Sequence, residues 1–238
     1  MPGKRKRTRR TLLVVIAAAA AYTVLAYALV PMAWTLFSEP VVDFSDSFPR
    51  LTETGDHHAG DPLNVALIGN EAAVKSAMAA AGWFTADPLG IRSDLEIAAD
   101  IILERAYVTA PVSRLFLFGR SEDLAFEKPA GPDPDQRNHV RLWLLPPHAE
   151  RLATVYIGAA SFDRGIGLSH ETGQLTHHIA PEVDHERDKL KADLMKTGHL
   201  EDSYMVPGFH DVRSGRNGGG DPWSTDGDLW VGVLRERP

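Results

Sequence analysis

The sequence predicts an α+β domain behind a single-pass N-terminal transmembrane helix, and three observations lead there. No residue from Thr11 to Ser38 is charged, while Lys4, Arg5, Lys6, Arg7, Arg9 and Arg10 crowd the N-terminal flank. Beyond that stretch, apolar residues recur first at helical spacing, then in short runs, then at helical spacing again. Strands grouped in the middle of a chain, rather than alternating strictly with helices, make one mixed domain with a largely antiparallel sheet.

The first element is the hydrophobic span, placed at 12–37 behind a basic tail at 1–11. About 20 apolar residues in a helix cross a hydrocarbon core of ~30 Å. Leu12–Val30 meets that length, and Trp34 lies near the far end, where indole rings favour the interface. Basic residues flank only the N-terminal side. Positive-inside logic therefore puts the tail in the cytoplasm, the span in the cytoplasmic membrane and the domain in the periplasm. A cleaved signal peptide competes, since Ala26-Tyr27-Ala28 fits a small-x-small cleavage site. Its apolar region is normally only ~7–15 residues, so the uncleaved signal-anchor is preferred. The expected membrane partner is the lipid bilayer, through Leu12–Phe37.

Residues 38–62, with Pro40, Pro49, Gly55, Gly60 and Pro62 among acids, read as a linker, leaving 63–238 as the domain. Asn64–Ile68 is a short apolar strand. Asn70 then caps a helix with stripe Val74, Ala77, Met78 and Ala81, ended by Gly82. A second helix starts at Ser93, with Glu96 completing a capping box and Leu95, Ala98, Ala99 and Ile102 as its stripe. Strands follow at Leu115–Phe118, Val140–Leu145, Thr154–Ala160, Gln174–Ile179 and Leu229–Leu234, with Pro146-Pro147 separating two of them. A late helix begins near Pro181, carries Glu182 and Asp184 in its first turn, passes Leu190 and Leu194, and stops at Gly198.

Charge and composition narrow the function classes. The 238-residue chain is 44% hydrophobic and 24% charged. Its formal net charge is −7, and the six cations of the tail leave −13 for the remainder. So acidic a domain is unsuited to nucleic acid, whose phosphates need positive surface. With no cysteine in the chain, thiol catalysis, disulfides and thiolate metal sites are excluded.

Three clusters carry candidate chemistry. In Arg137-Asn138-His139-Val140-Arg141-Leu142-Trp143-Leu144, strand alternation puts Arg137, His139, Arg141 and Trp143 on one face and the apolar residues on the other. Three cation-capable groups in a row suit a phosphate, a carboxylate or a sugar acid. The plainer reading, which weighs more, is a solvated face paired with acids of a neighbouring strand. The second cluster is His170, His177, His178 and His185, with Asp163, Glu171, Asp184 and Glu186 between them. Imidazole and carboxylate suit a divalent metal, with His139, His178 and Asp184 as the candidate ligands. The spacing matches no ligand template, and His177 and His178 point to opposite faces of their strand. The third is Asp184 and Arg187, which share a helix face where alternating charge supports the helix.

Several motifs are absent. Gly167-Leu168-Ser169-His170-Glu171 lacks the final glycine of a nucleophile elbow. Gly69-Asn70-Glu71 has no phosphate-binding lysine at the required spacing. Gly215–Gly220 is a flexible loop with no helix after it, so it is not expected to cradle phosphate.

Pro111–Glu127, Arg137–Trp143, Thr176–Ile179 and Asp184–Asp188, in that order, resemble the LssY C-terminal domain family, named for a type I secretion component. The resemblance spans roughly 62–200. It implies Arg120, His139, Arg141, His178, Asp184 and Arg187 as a shared site, and it assigns them no reaction. Some members join this domain to membrane regions resembling PAP2 phosphatases. Here the K-x6-R-P pattern is missing, and Ser113-Arg114 lacks the histidine that should follow, so phosphatase activity does not carry over. The expectation is therefore a cell-envelope domain binding an anionic ligand or a protein partner of the envelope or secretion apparatus. Its ligand-binding residues would be Arg120, Arg137, His139, Arg141, Trp143, Asp184 and Arg187. The alternative is a metal-dependent hydrolase of a phosphoester or envelope lipid.

Overall fold

The structure is a computed structural model and describes residues 3–32, 42, 44, 48–86, 115–130, 136–146, 153–168 and 175–235. The helix expected from Ser93, and the positions of Trp34, His170 and Glu171, lie outside these. The chain forms two compact units, 1–43 and 44–238.

The first unit is one long helix. Helix α1 (Gly3–Val24) continues through a π-helical turn (Leu25–Leu29) to Met32. Pro31 accounts for that turn. A proline has no N–H and its ring crowds the carbonyl four residues back, and a π-turn absorbs that misfit by shifting the ladder to i→i+5. Accordingly the Val30 N–H donates to the carbonyl of Leu25. Thr23 gives its hydroxyl to the Ala19 carbonyl at 2.9 Å, which satisfies a polar group inside an apolar helix. The segment Leu12–Met32 has a mean hydropathy of 2.3 and is long and apolar enough to cross a membrane.

The second unit is α+β, and its larger sheet is antiparallel save for one pair. The strands are β1 (Leu51–Thr54), β2 (Ala59–Pro62), β3 (Val65–Ile68), β4 (Phe84–Thr85), β5 (Leu115–Leu117), β6 (Arg120–Ser121), β7 (Leu124–Pro129), β8 (Arg137–Leu144), β9 (Val155–Leu168), β10 (Leu175–Ile179), β11 (Leu200–Val206), β12 (Ser214–Arg216), β13 (Pro222–Ser224) and β14 (Leu229–Leu234). The helices are α2 (Glu71–Ala80) and α3 (Val183–Met195). Among the described residues, eight strands form the large sheet in the order β11-β14-β3-β9-β8-β7-β4, with β10 added on β9, and only β14 and β3 run parallel. A smaller sheet has the order β2-β1-β5-β6.

The helices form where their caps and stripes direct. Asn70 Oδ1 accepts from the Ala73 N–H at 2.9 Å, and Val74, Ala77 and Met78 are buried. Gly82 takes a positive φ of 75° just past the helix, where a side chain would be strained. Helix α3 buries Leu190 and Leu194, and both helices cover one face of the large sheet with Val65, Leu67, Phe126, Val140, Leu142 and Trp230.

One region differs from the sequence expectation. Residues 51–62, read as linker, form the hairpin β1–β2, and β1 pairs with β5 as part of the domain. Leu51 and Thr52 to Thr54 are too short a run to give a periodic signal. The pairing comes from strands elsewhere in the chain.

Candidate functional site

Strand β8 lies between β7 and β9, and its alternation is as the sequence suggests. Val140 and Leu142 enter the helix-side core, while His139, Arg141 and Trp143 take the other face. That face is partly covered. The hairpin β1–β2, strand β5 and the loop at Asn217–Gly219 flank it and leave a cavity of about 50 Å³. One water needs ~10–15 Å³ on such a measure, so the space suits a few waters or one small polyatomic ion.

The polar lining comes from several strands. His139 and Arg141 come from β8, Ser161 and Asp163 from β9, His177 from β10 and Asp61 from β2. Gly218 brings the loop down onto the hairpin, since a Cβ there would fall 2.2 Å from Thr54 Cγ2. Asn217 ties the two together by donating from Nδ2 to Asp61 Oδ1 at 3.1 Å.

Arg141 is the central group. It is 7% exposed. Its Nε donates to His139 Nε2 at 3.3 Å, and its nearest carboxylate oxygen is on Glu122 at 3.9 Å. Among the described residues, its two terminal amino groups make no hydrogen bond, and it forms no ion pair with Asp61 or Asp163. A guanidinium cannot accept, so His139 must be neutral with its proton on Nδ1. Burial pushes the His139 imidazole well below its usual range, and Arg141, Arg137 and His177 push it the same way. Ser161 is buried, and its Oγ lacks a partner among the described residues. Burial raises the carboxyls of Asp61 and Asp163, against the pull of Arg141 on the first and Arg137 on the second.

The other expected residues separate into structural roles. Arg137 is engaged: Nε donates to Asp163 at 3.1 Å, Nη1 to Glu127 at 3.0 Å, and Nη2 lies 3.4 Å from His177 Nε2. Trp143 is fully buried, and its indole N–H donates to the Arg120 carbonyl at 3.2 Å. Arg120 in turn grips Asp123 at 2.9 Å and the Leu144 carbonyl. Asp184 and Arg187 pin the start of α3 to the turn before β14. Arg187 makes a two-pronged pair with Asp226 at 2.7 and 2.9 Å, and Asp184 accepts from the Thr225 hydroxyl and the Asp226 N–H.

The three candidate metal ligands have different partners. His139 accepts from Arg141, His178 Nδ1 lies 2.6 Å from Asp221 Oδ1, and Asp184 is held by Thr225 and Asp226. Among the described residues no group of three His, Cys, Asp or Glu side chains is placed to hold a metal ion.

Sequence reasoning did not single out Asp61, Ser161 or Asn217. Ser161 and Asp163 had a usable signal. They are the polar members of an alternating run and sit opposite His139 and Arg137 in the strand register. Asp61 and Asn217 had none, because a tight hairpin and a glycine loop carry them to the site.

A protein-family model described as LssY C-terminus matches residues 45–229. No curated protein and no solved structure matches the chain.

Proposed function

The chain belongs to the LssY C-terminus family, and from that premise we propose a single-pass cell-envelope protein whose domain binds an anionic group in the Arg141 cavity. The N-terminus lies in the cytoplasm and the domain in the periplasm, because the basic tail resists translocation. One observation carries the binding reading: a guanidinium that is more than nine-tenths buried, with neither terminal amino group engaged by a described residue, lines a partly open cavity. A buried cation whose one described counter-ion stands at 3.9 Å is poorly compensated, and an oxyanion that accepts from both amino groups offsets that cost. Ser161 and the Nδ1–H of His139 add neutral donors.

The experiment is equilibrium dialysis of the full chain in detergent against small oxyanions, with Arg141→Leu beside the wild type. The wild type is expected to retain an anion and the variant to release it. Equal retention by both would remove the site. A reporter fused after Pro238 tests the orientation, with alkaline phosphatase activity expected and fluorescence of a cytoplasm-only reporter the contrary result.

A further inference from the structure

Resting on the reading of the cavity as an oxyanion site, we infer that its ligand is a phosphate group that still carries a proton. Asp61 accepts that proton's hydrogen bond, and Arg141 donates to the charged oxygens. Asp61 and Arg141 line the same small cavity, both buried, yet no ion pair joins them. Opposite charges enclosed together normally close up, so the gap between them has the character of a receptacle.

Asp61 is held in place on its own side of that gap. Its backbone carbonyl accepts from Thr52 Oγ1 at 3.0 Å, and its Oδ1 accepts from Asn217 Nδ2. Asn217 is itself fixed, since its Oδ1 accepts from the N–H groups of Gly219 and Asp221 at 3.0 and 2.9 Å. The second oxygen of Asp61 makes no hydrogen bond to a described residue. The cavity therefore offers donors from Arg141, His139 and Ser161, and two carboxylates, of which Asp163 is already paired with Arg137 and Asp61 is not paired with a cation.

That mixture selects among anions. A fully deprotonated tetrahedral anion such as sulfate would meet Asp61 with a lone pair against a lone pair. A phosphate group bearing P–O–H gives Asp61 a hydrogen bond instead, and its remaining oxygens take the donors. The volume suits one tetrahedral group and not a nucleotide. The groups facing Asp61 are Arg141 from β8, Asp163 from β9, and Asn217 and Asp221 from the loop. Burial raises the Asp61 carboxyl while Arg141 opposes the rise, so ligand and carboxyl share one proton between them. Inorganic phosphate and a lipid phosphomonoester headgroup share this chemistry.

The test is calorimetric titration of the full chain in nanodiscs of neutral lipid at about pH 7, with inorganic phosphate, sulfate and dioctanoyl phosphatidate. Wild type should bind phosphate about ten- to a hundredfold more tightly than sulfate, the ratio that one hydrogen bond to a charged group supplies. Asp61→Asn should bring sulfate to within about threefold of phosphate, since an amide can donate where the carboxylate repels. A phosphatidate affinity above that of inorganic phosphate assigns the headgroup as the source, and the reverse assigns the free ion. Should Asp61→Asn fail to fold, acidifying the wild type serves instead. Sulfate must then gain affinity as Asp61 takes up a proton, with phosphate changing less. If neither ion binds the wild type, the oxyanion reading itself fails. If both bind equally, or if discrimination survives Asp61→Asn, or if sulfate ignores pH, the inference is overturned and the anion site stands.

Discussion

Arg187 and Arg141 are both arginines with little exposure, 3% and 7%, in the same domain, yet their surroundings differ in kind. Arg187 has its Nε on Asp188 at 3.0 Å, both terminal groups on Asp226, and Nη1 also on the Asp228 carbonyl. Burial alone would lower its pKa, but the hydrogen bonds to Asp226 and Asp188 override that and hold it above the ordinary value. Arg141 has one hydrogen bond to a neutral imidazole and a carboxylate no nearer than 3.9 Å. The first is a rivet between α3 and the β14 turn, complete as it stands. The second lines a cavity with its terminal amino groups unengaged by any described residue. Burial alone does not tell structure from function; the count of satisfied donors does.

Removing each arginine measures that difference. Arg187→Ala leaves Asp184 and Asp226 without their cation and should destabilise the domain by about 2–4 kcal/mol in urea unfolding; the value is set below that of a wholly buried pair because Asp226 is half exposed. A loss under about 0.5 kcal/mol would erase the contrast.

Glu186 extends the comparison to an acid. It is buried on α3, and its Oε1 lacks a partner among the described residues. Burial pushes its carboxyl up from 4.5 to about 8. The folded state therefore keeps a proton that the unfolded chain has lost. Stability is full below about 4.5, falls as pH rises through that window, and levels above about 8. Glu186→Gln should flatten the slope and leave the variant more stable on the alkaline side, by several kcal/mol. Parallel stability–pH curves for both proteins would contradict it.

Asn70→Ala supplies a calibration away from either site. It removes the cap of α2 and should cost about 1 kcal/mol with anion binding untouched. The smallest expected effect is that of Arg141→Leu on stability, within about 1 kcal/mol either way, because an apolar group of similar volume replaces a poorly paired charge.

The elements with their own periodicity were legible in the sequence. The capped helix at Asn70, the late helix with Leu190 and Leu194, the strand runs and the uncharged N-terminal stretch all formed as their spacing directed. The two-faced pattern of β8 was legible too, but not what covers its polar face. The cover is the β1–β2 hairpin, whose four-residue strands carry no pattern of their own and owe their pairing to β5. For the same reason Asp61 looked like a linker acid. Arg141 and Arg187 both stood in the sequence as candidate ligand-binding residues, because the partners that separate them come from residues distant in the chain.

The most direct measurement of the central claim is the urea midpoint of the full chain with and without phosphate, followed by tryptophan fluorescence in wild type and Arg141→Leu. Phosphate also strengthens burial generally, so the quantity read is the difference between the two proteins. A ligand at ~100 times its Kd adds about 2.7 kcal/mol to the protein that binds it. That increment is expected in the wild type and its absence in Arg141→Leu. An equal rise in both proteins, or none in the wild type, would contradict it.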